Sequence, residues 1–299
     1  MKNILVFMLI ISILLIITIN NNQSKLNSSL VYSFEEFKYS YNTNDKPNAC
    51  IIVLLRNQNL ERFIQTINKI EQNFNNRYNY PYILFNDVEF DDNFKNSIKN
   101  FTNSSIEFVK IAKEAWGVPS WIDPQKLNES LVKLKFSIGY RNMCRFFSGF
   151  FYKENATLKY DMYMRLDLDS DISCPSNIDP FRVFQNNPNL IYGFALGSPE
   201  AYWTLPTLWD TIKNWLNKDD YLNKMPKSES FLDFVSMFNK TGLVNNTGDL
   251  KDFCTFYNNF EVGRFSMFRN QQYDSYFNHL DKAGGFYYER WGNNFIFIM

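Results

Sequence analysis

Histidine is almost missing from this sequence: His279 is the only one in 299 residues. That removes the imidazole-rich ligand sets of most zinc sites, and no Cys-x-x-Cys spacing stands in for them. Cysteine is sparse too. Cys50, Cys144, Cys174 and Cys254 are an even number, which in an oxidising compartment permits three pairings and selects none of them. Net charge is absent, with 31 Lys plus Arg against 31 Asp plus Glu, so no basic surplus points to a nucleic-acid partner. With no internal repeat, a chain of this length is one large or two small domains, each able to bury a core.

One long apolar run exists, at the N-terminus. After Met1-Lys2-Asn3, the residues from Ile4 to Ile19 are interrupted only by Ser12 and Thr18. The run is longer than a signal-peptide core of roughly 7–15 residues and close to the ~20 that span a bilayer. No small-x-small cleavage site follows, and the chain turns polar at Asn20. The expectation is a cytosolic tail over 1–3, a signal-anchor helix over 4–19 and a polar stem over 20–47, with a cleaved signal peptide as the alternative; both enter the secretory pathway. Asn-x-Ser/Thr acceptor sites at Asn22, Asn27, Asn100, Asn103, Asn128, Asn155, Asn239 and Asn245 suit that compartment.

From residue 48 to 299 the pattern is that of a folded domain. ACIIVLLR, ending at Arg56, is a continuous apolar run and predicts a strand buried on both faces. Leu60, Phe63, Ile64, Ile67, Ile70 and Phe74 follow at helical spacing. YPYILFND (Tyr80 to Asp87) and IEFVKI (Ile106 to Ile111) predict two more strands, with a helix through Phe94 and Ile98 between them. MCRFFSGFFY (Met143 to Tyr152) predicts a buried helix, and YDMYMRL (Tyr160 to Leu166) the next strand. Alternating strands and helices predict an α/β fold with a largely parallel sheet, whose ligands bind outside the carboxyl ends of the strands. Beyond these come an amphipathic region with Trp209 and Trp215, an Asn-rich loop, and a C-terminal segment dense in aromatics and charges.

At the carboxyl end of that fourth strand lies MRLDLDSDISC, with Asp167, Asp169 and Asp171 on alternating positions. Two carboxylates at a strand end cradle a hard divalent cation, which can clamp a diphosphate and stabilise it as a leaving group. Asp-rich turns also cap helices and solvate loops, and by themselves these acids do not decide between the two.

Several ordered blocks carry a family resemblance. YPYILFNDVEF, AWGVPSWID (Ala115 to Asp123), IGYRNMCRFFSGFFY (Ile138 to Tyr152), YMRLDLDSDISC, CTFYNNFEVGRFSMFR and LDKAGGFYYERWG (Leu280 to Gly292) are similar to motifs of the fungal α-1,2-mannosyltransferases of the Kre/Ktr/Mnt type, glycosyltransferase family 15. The resemblance covers about Ala49 to the end. It implies a GT-A-like (Rossmann-like) glycosyltransferase domain with a mixed, largely parallel central sheet. It also implies a type II Golgi membrane protein that transfers mannose, with retention, from GDP-mannose to a mannose hydroxyl of a glycan, assisted by Mn2+. In that frame Asp167 takes the place of the metal-binding Glu, with Asp169 as a second metal candidate. Glu261 stands at the proposed nucleophile, as attacker or as electrostatic stabiliser. Arg165 is placed beside the donor, where it pairs with phosphate or with nearby acids. Tyr140 and Asp281 fall in blocks bordering the sugar-binding cleft, with core packing and turn capping as their plainer roles.

Three positions depart from the family pattern. Asp167-Leu168 replaces Glu-Pro, Ala115 replaces a His before Trp116, and Phe297 stands where the family has a metal-ligating His, near a C-terminus shorter than the family's. His279 is a poor substitute and is expected in a surface or turn role. The alternatives are a family-like protein that binds glycan or a partner enzyme without turnover, a truncated and poorly folded product, and a glycosidase using the same carboxylates.

Overall fold

The computed structural model describes residues 45–168, 170, 172–200, 202–218 and 253–293, with backbone only at 197–200, 202, 217–218 and 253–256. The segment from Ile4 to Ile19, most of the stem, Asp169, Asp171, the Asn-rich loop and Phe297 lie outside the described residues. Among those described, no helix is long and apolar enough to cross a membrane.

Four strands form where the apolar runs predict them: β1 (Ala49–Leu54), β2 (Tyr82–Asn86), β3 (Ile106–Lys110) and β4 (Met162–Leu166). The connecting helices are α1 (Leu60–Ile70), prolonged by a π turn, α2 (Asp92–Ile98), α3 (Pro124–Leu134) and α4 (Ile138–Gly149). The buried helix therefore begins five residues before the expected Met143, because Ser137 caps it by accepting the Tyr140 N–H. Two strands were not anticipated, β5 (Tyr192–Glu200) and β6 (Phe253–Arg264). The last helices are α5 (Pro180–Asn186), α6 (Leu208–Lys218), α7 (Gln271–Ala283) and α8 (Gly285–Tyr288).

The sheet runs β3-β2-β1-β4-β6-β5. β3, β2, β1 and β4 are mutually parallel, whereas β6 is antiparallel to both β4 and β5. The strand order reverses at β1, which has β2 on one side and β4 on the other. That topology leaves a crevice between the carboxyl ends of β1 and β4.

Both faces of the sheet are covered, which is why the parallel strands read as unbroken apolar runs. On one face Ile51, Val53, Leu84, Met164 and Val262 pack under Phe63 and Ile67 of α1 and Phe94 of α2. On the other Cys50, Ile52, Phe85 and Tyr163 pack under Phe146 and Phe147 of α4 and Tyr276 and Phe277 of α7. Trp209 and Trp215 of α6 are buried in this second layer. Cys50, Cys144 and Cys174 are free thiols, the first two buried, so no disulfide links any two of them. Asn100, Asn103, Asn128 and Asn155 are exposed; the other four acceptor asparagines lie outside the described residues.

The second layer requires one close approach. A methyl at Gly149, the last residue of α4, would stand 2.0 Å from Cζ of Phe277 on α7, inside the ring's own volume. Gly149→Ala should therefore destabilise the fold by about 1–3 kcal/mol through overpacking. Chemical unfolding with an unchanged slope and a lower midpoint is the expected result; an unchanged midpoint would show that α7 shifts freely against α4.

Candidate active site

Side chains alternate along a strand, so Tyr163, Arg165 and Asp167 project to the face covered by α4 and α7. Arg165 is 1% exposed and sits in a layer rich in aromatic rings. A guanidinium there needs negative charge close by. Its Nε and Nη2 both donate to Oδ1 of Asp167, at 3.0 and 2.8 Å. Its Cζ lies 3.7 Å from the centre of the Phe147 ring. Burial lowers its pKa, but the charges of Asp167 and Glu261 outweigh that and raise it. Nη1 is buried and, among the described residues, has no hydrogen-bond partner.

Antiparallel pairing with β6 sets Glu261 directly opposite Arg165. Glu261 is 0% exposed. The Tyr163 hydroxyl donates to its Oε1 at 3.2 Å and the Tyr192 hydroxyl to its Oε2 at 2.6 Å. Desolvation raises its pKa to about 7, against the lowering influence of Arg165 and the tyrosine hydrogen bonds.

The acidic turn is anchored from both sides. Between the pairings Phe194↔Glu261 and Leu196↔Tyr257, three residues of β6 stand against one of β5, a bulge over Asn258–Phe260. The Asn259 carbonyl there accepts the Asp167 N–H at 2.8 Å and also the Ser170 hydroxyl. On the opposite side, Thr66 of α1 donates to the Leu168 carbonyl at 2.9 Å, and Asn73 donates to that of Ile172. Asp167 emerges from this frame about one-third exposed.

The structure thus brings Arg165, Asp167 and Glu261 together at the carboxyl end of β4. Tyr140, Cys144 and Phe147 recur along α4, where Phe147 carries Arg165 and the buried Cys144 thiol feels the charges of Arg165 and Arg290. Burial and the neighbouring Cys144 push the Tyr140 hydroxyl up, opposed by Arg290. Asp281 is engaged elsewhere: its carboxylate forms a buried bidentate pair with Arg145, at 2.7 and 2.9 Å, which joins α7 to α4. Its carbonyl accepts the Gly284 N–H at the helix end. His279 lies part-buried within α7 against the Thr211 carbonyl, a structural place on a helix and not in a turn. Among the described residues, no three His, Cys, Asp or Glu side chains gather as a metal cluster.

Sequence reasoning passed over Tyr163, Tyr192 and Arg56. Arg56 follows β1 at the crevice, half-exposed, with Asp87 at 3.7 Å and Gly139 of α4 against its guanidinium. The available signal was the buried arginine itself: an Arg at the fourth position of an apolar strand demands acids on its own face, two residues along or across the ladder.

Known proteins share this fold. The family model described as glycolipid 2-alpha-mannosyltransferase matches residues 12–299. Glycolipid 2-alpha-mannosyltransferase 1 of Candida albicans is 37% identical over 85% of this chain and 58% of its own length. Alpha-1,2 mannosyltransferase KTR1 of Saccharomyces cerevisiae is 34% identical over 90% of this chain and 67% of its own. The chain thus spans little more than half of the first of these relatives. Core-mannan synthase A of Aspergillus fumigatus, solved in a Mn/GDP form, superimposes with a TM-score of 0.72 at 34% identity, covering 83% of this chain and 68% of that one. The mannosyltransferase Ktr4p of Saccharomyces cerevisiae gives 0.74 at 31% identity over 84% and 64% of the two chains. A six-stranded mixed sheet in a mannosyltransferase architecture, with similarity over most of its length, places this chain in the glycolipid 2-alpha-mannosyltransferase family.

Proposed function

We propose that this chain transfers mannose from GDP-mannose to a mannose hydroxyl of a glycan acceptor, forming an α-1,2 linkage with retention during protein glycosylation. The observation that carries the reading is the Asp167–Arg165–Glu261 row across β4 and β6, set beside the crevice between β1 and β4. A nucleotide-sugar donor presents a diphosphate next to an anomeric carbon, and this row offers a distinct group for each.

Arg165 Nη1 is the donor left for a phosphate oxygen, since the other two nitrogens hold Asp167. Asp167 fits one ligand position of a divalent cation, because Arg165 occupies only Oδ1 and the side chain reaches solvent. One such carboxylate suits an ion that takes its remaining ligands from phosphate and water, with Asp169 as the second protein candidate. Mn2+ held there supplies charge neutralisation to the departing diphosphate. Glu261, with both oxygens fixed by tyrosines, acts through its negative charge on the positive charge that develops at the anomeric carbon. The bond from that carbon to the phosphate oxygen breaks, the acceptor oxygen bonds to the carbon on the same face, and its hydroxyl proton passes to the departing phosphate oxygen. Tyr140 lines the donor side, and Asp281 holds the cleft wall through Arg145. The apolar segment from Ile4 to Ile19 anchors a type II protein in the Golgi membrane, with the domain from residue 48 onward in the lumen.

The full chain, solubilised in mild detergent with GDP-mannose, Mn2+ and a mannoside acceptor, should release GDP and extend the acceptor. Asp167→Ala and Glu261→Gln should each lower kcat by about a hundredfold or more; product formed equally by either variant would contradict the assignment. Glu261 also makes a stability prediction. Its folded pKa, about 7, lies above that of an unfolded Glu, so the folded state holds the extra proton between roughly pH 4.5 and 7. Stability from this group is therefore present at low pH and lost as pH rises through 7. Glu261→Gln should exceed the wild type by on the order of 1–3 kcal/mol at pH 8, with the gap closing below pH 5. Urea unfolding at the two pH values measures this, and a gap that widens on acidification would refute it.

A further inference from the structure

Gly263 occupies an unusual place in the sheet. It lies on β6 two residues beyond Glu261, on the same face, and is the register partner of Tyr163 on one side and Tyr192 on the other. A Cβ at this position would stand 2.7 Å from Cε1 and 2.9 Å from the hydroxyl oxygen of Tyr163. The missing side chain is therefore the space through which Tyr163 crosses from its own strand toward β6. Tyr192, from the other flanking strand, reaches the same carboxylate.

We infer that Tyr163, Gly263 and Tyr192 form a cross-strand positioning device for Glu261: the glycine opens a slot between two tyrosines whose hydroxyls fix one carboxylate oxygen each. This rests on the role proposed above for Glu261 and explains how that carboxylate keeps its place beside a buried guanidinium. With each oxygen taken by a phenol, Glu261 stands across from Arg165 while Arg165 pairs with Asp167. Arg165 then keeps one donor nitrogen that no described residue engages.

Aromatic packing makes the device rigid. The Tyr163 ring packs against Phe151, Phe265 and Phe268 at 5.1, 5.1 and 6.0 Å. Tyr192 packs against Phe194, the register partner of Glu261, at 6.0 Å. The titratable and charged groups facing Glu261 are Tyr163, Arg165 and Asp167 from the β4 side, Tyr192 from β5 and Tyr273 from α7. Burial and the Glu261 charge hold all three of these phenols well above their ordinary pKa, so they stay protonated and donate. A hydrogen bond to a charged group contributes more than a neutral one, and the shorter Tyr192 bond should contribute more than that of Tyr163.

The test uses the full chain and Tyr163→Phe, Tyr192→Phe and Gly263→Ala, each with two readouts. The first is the ionisation midpoint of Glu261, followed by NMR of protein labelled with 13C at the glutamate carboxyl, its resonance assigned by its loss in Glu261→Gln. The second is steady-state turnover of GDP-mannose. Tyr192→Phe should raise the midpoint by about one pH unit, because a donor to the ionised form is lost. It should also lower kcat about tenfold with the donor KM within about twofold, and move the acid limb of the kcat profile upward in step. Tyr163→Phe should do the same to a smaller extent, and Gly263→Ala should match or exceed Tyr163→Phe. Melting temperatures close to wild type for the two phenylalanine variants separate positioning from loss of fold. The inference is overturned when both phenylalanine variants fold yet keep the wild-type midpoint and kcat. A wild type that never turns over GDP-mannose would refute the proposed function alone; the Glu261 midpoint would still decide for or against the device.

Discussion

Everything at this site follows from burying one guanidinium in a sheet covered on both faces. Arg165 cannot be solvated where β4 places it, and an unpaired charge there would cost several kcal/mol. Three neighbours make the burial tolerable: Asp167 two residues along the same strand, Glu261 across the ladder, and the Phe147 ring beneath. Each comes from a different segment of the chain. The arginine thus ties the acidic turn, the antiparallel strand β6 and helix α4 to one point, the end of the sheet where α/β proteins bind ligands.

β6 is the organising strand. Its pairing register fixes Glu261 opposite Arg165, and its bulge turns the Asn259 carbonyl toward the Asp167 backbone and the Ser170 hydroxyl. The same few residues therefore set both the buried carboxylate and the exposed one. A strand without the bulge would keep the ladder but lose the grip on the acidic turn. The environments of the two acids differ accordingly. Glu261 is sealed and its pKa is raised to about 7, whereas Asp167 opens to solvent with one oxygen to offer.

The parallel half of the fold was legible because strands buried on both faces write themselves as apolar runs. β1 to β4 all appear where those runs stand. β5 and β6 were not, because their residues mix glycine, asparagine and aromatics, and the antiparallel ladder is specified by partners distant in sequence. Arg165, Asp167 and Glu261 were legible through the resemblance and through the chemistry of carboxylates at a strand end. Tyr163 and Tyr192 were not, since a tyrosine on a buried strand reads as core until its hydroxyl's partner is known. Asp281 shows the converse: a family block marks its neighbourhood, while its own side chain is committed to Arg145.

In the proposed function, the crevice between β1 and β4 receives the nucleotide diphosphate on the Arg165–Asp167 pair. A crystal structure of the full chain with GDP and Mn2+ tests it most directly. The diphosphate is expected at the carboxyl ends of these two strands, with the second Asp167 oxygen on the ion, Arg165 Nη1 on a phosphate oxygen, and Glu261 still held by both tyrosines. Nucleotide bound at any other edge of the sheet, with Asp167 bonded only to Arg165, would contradict it.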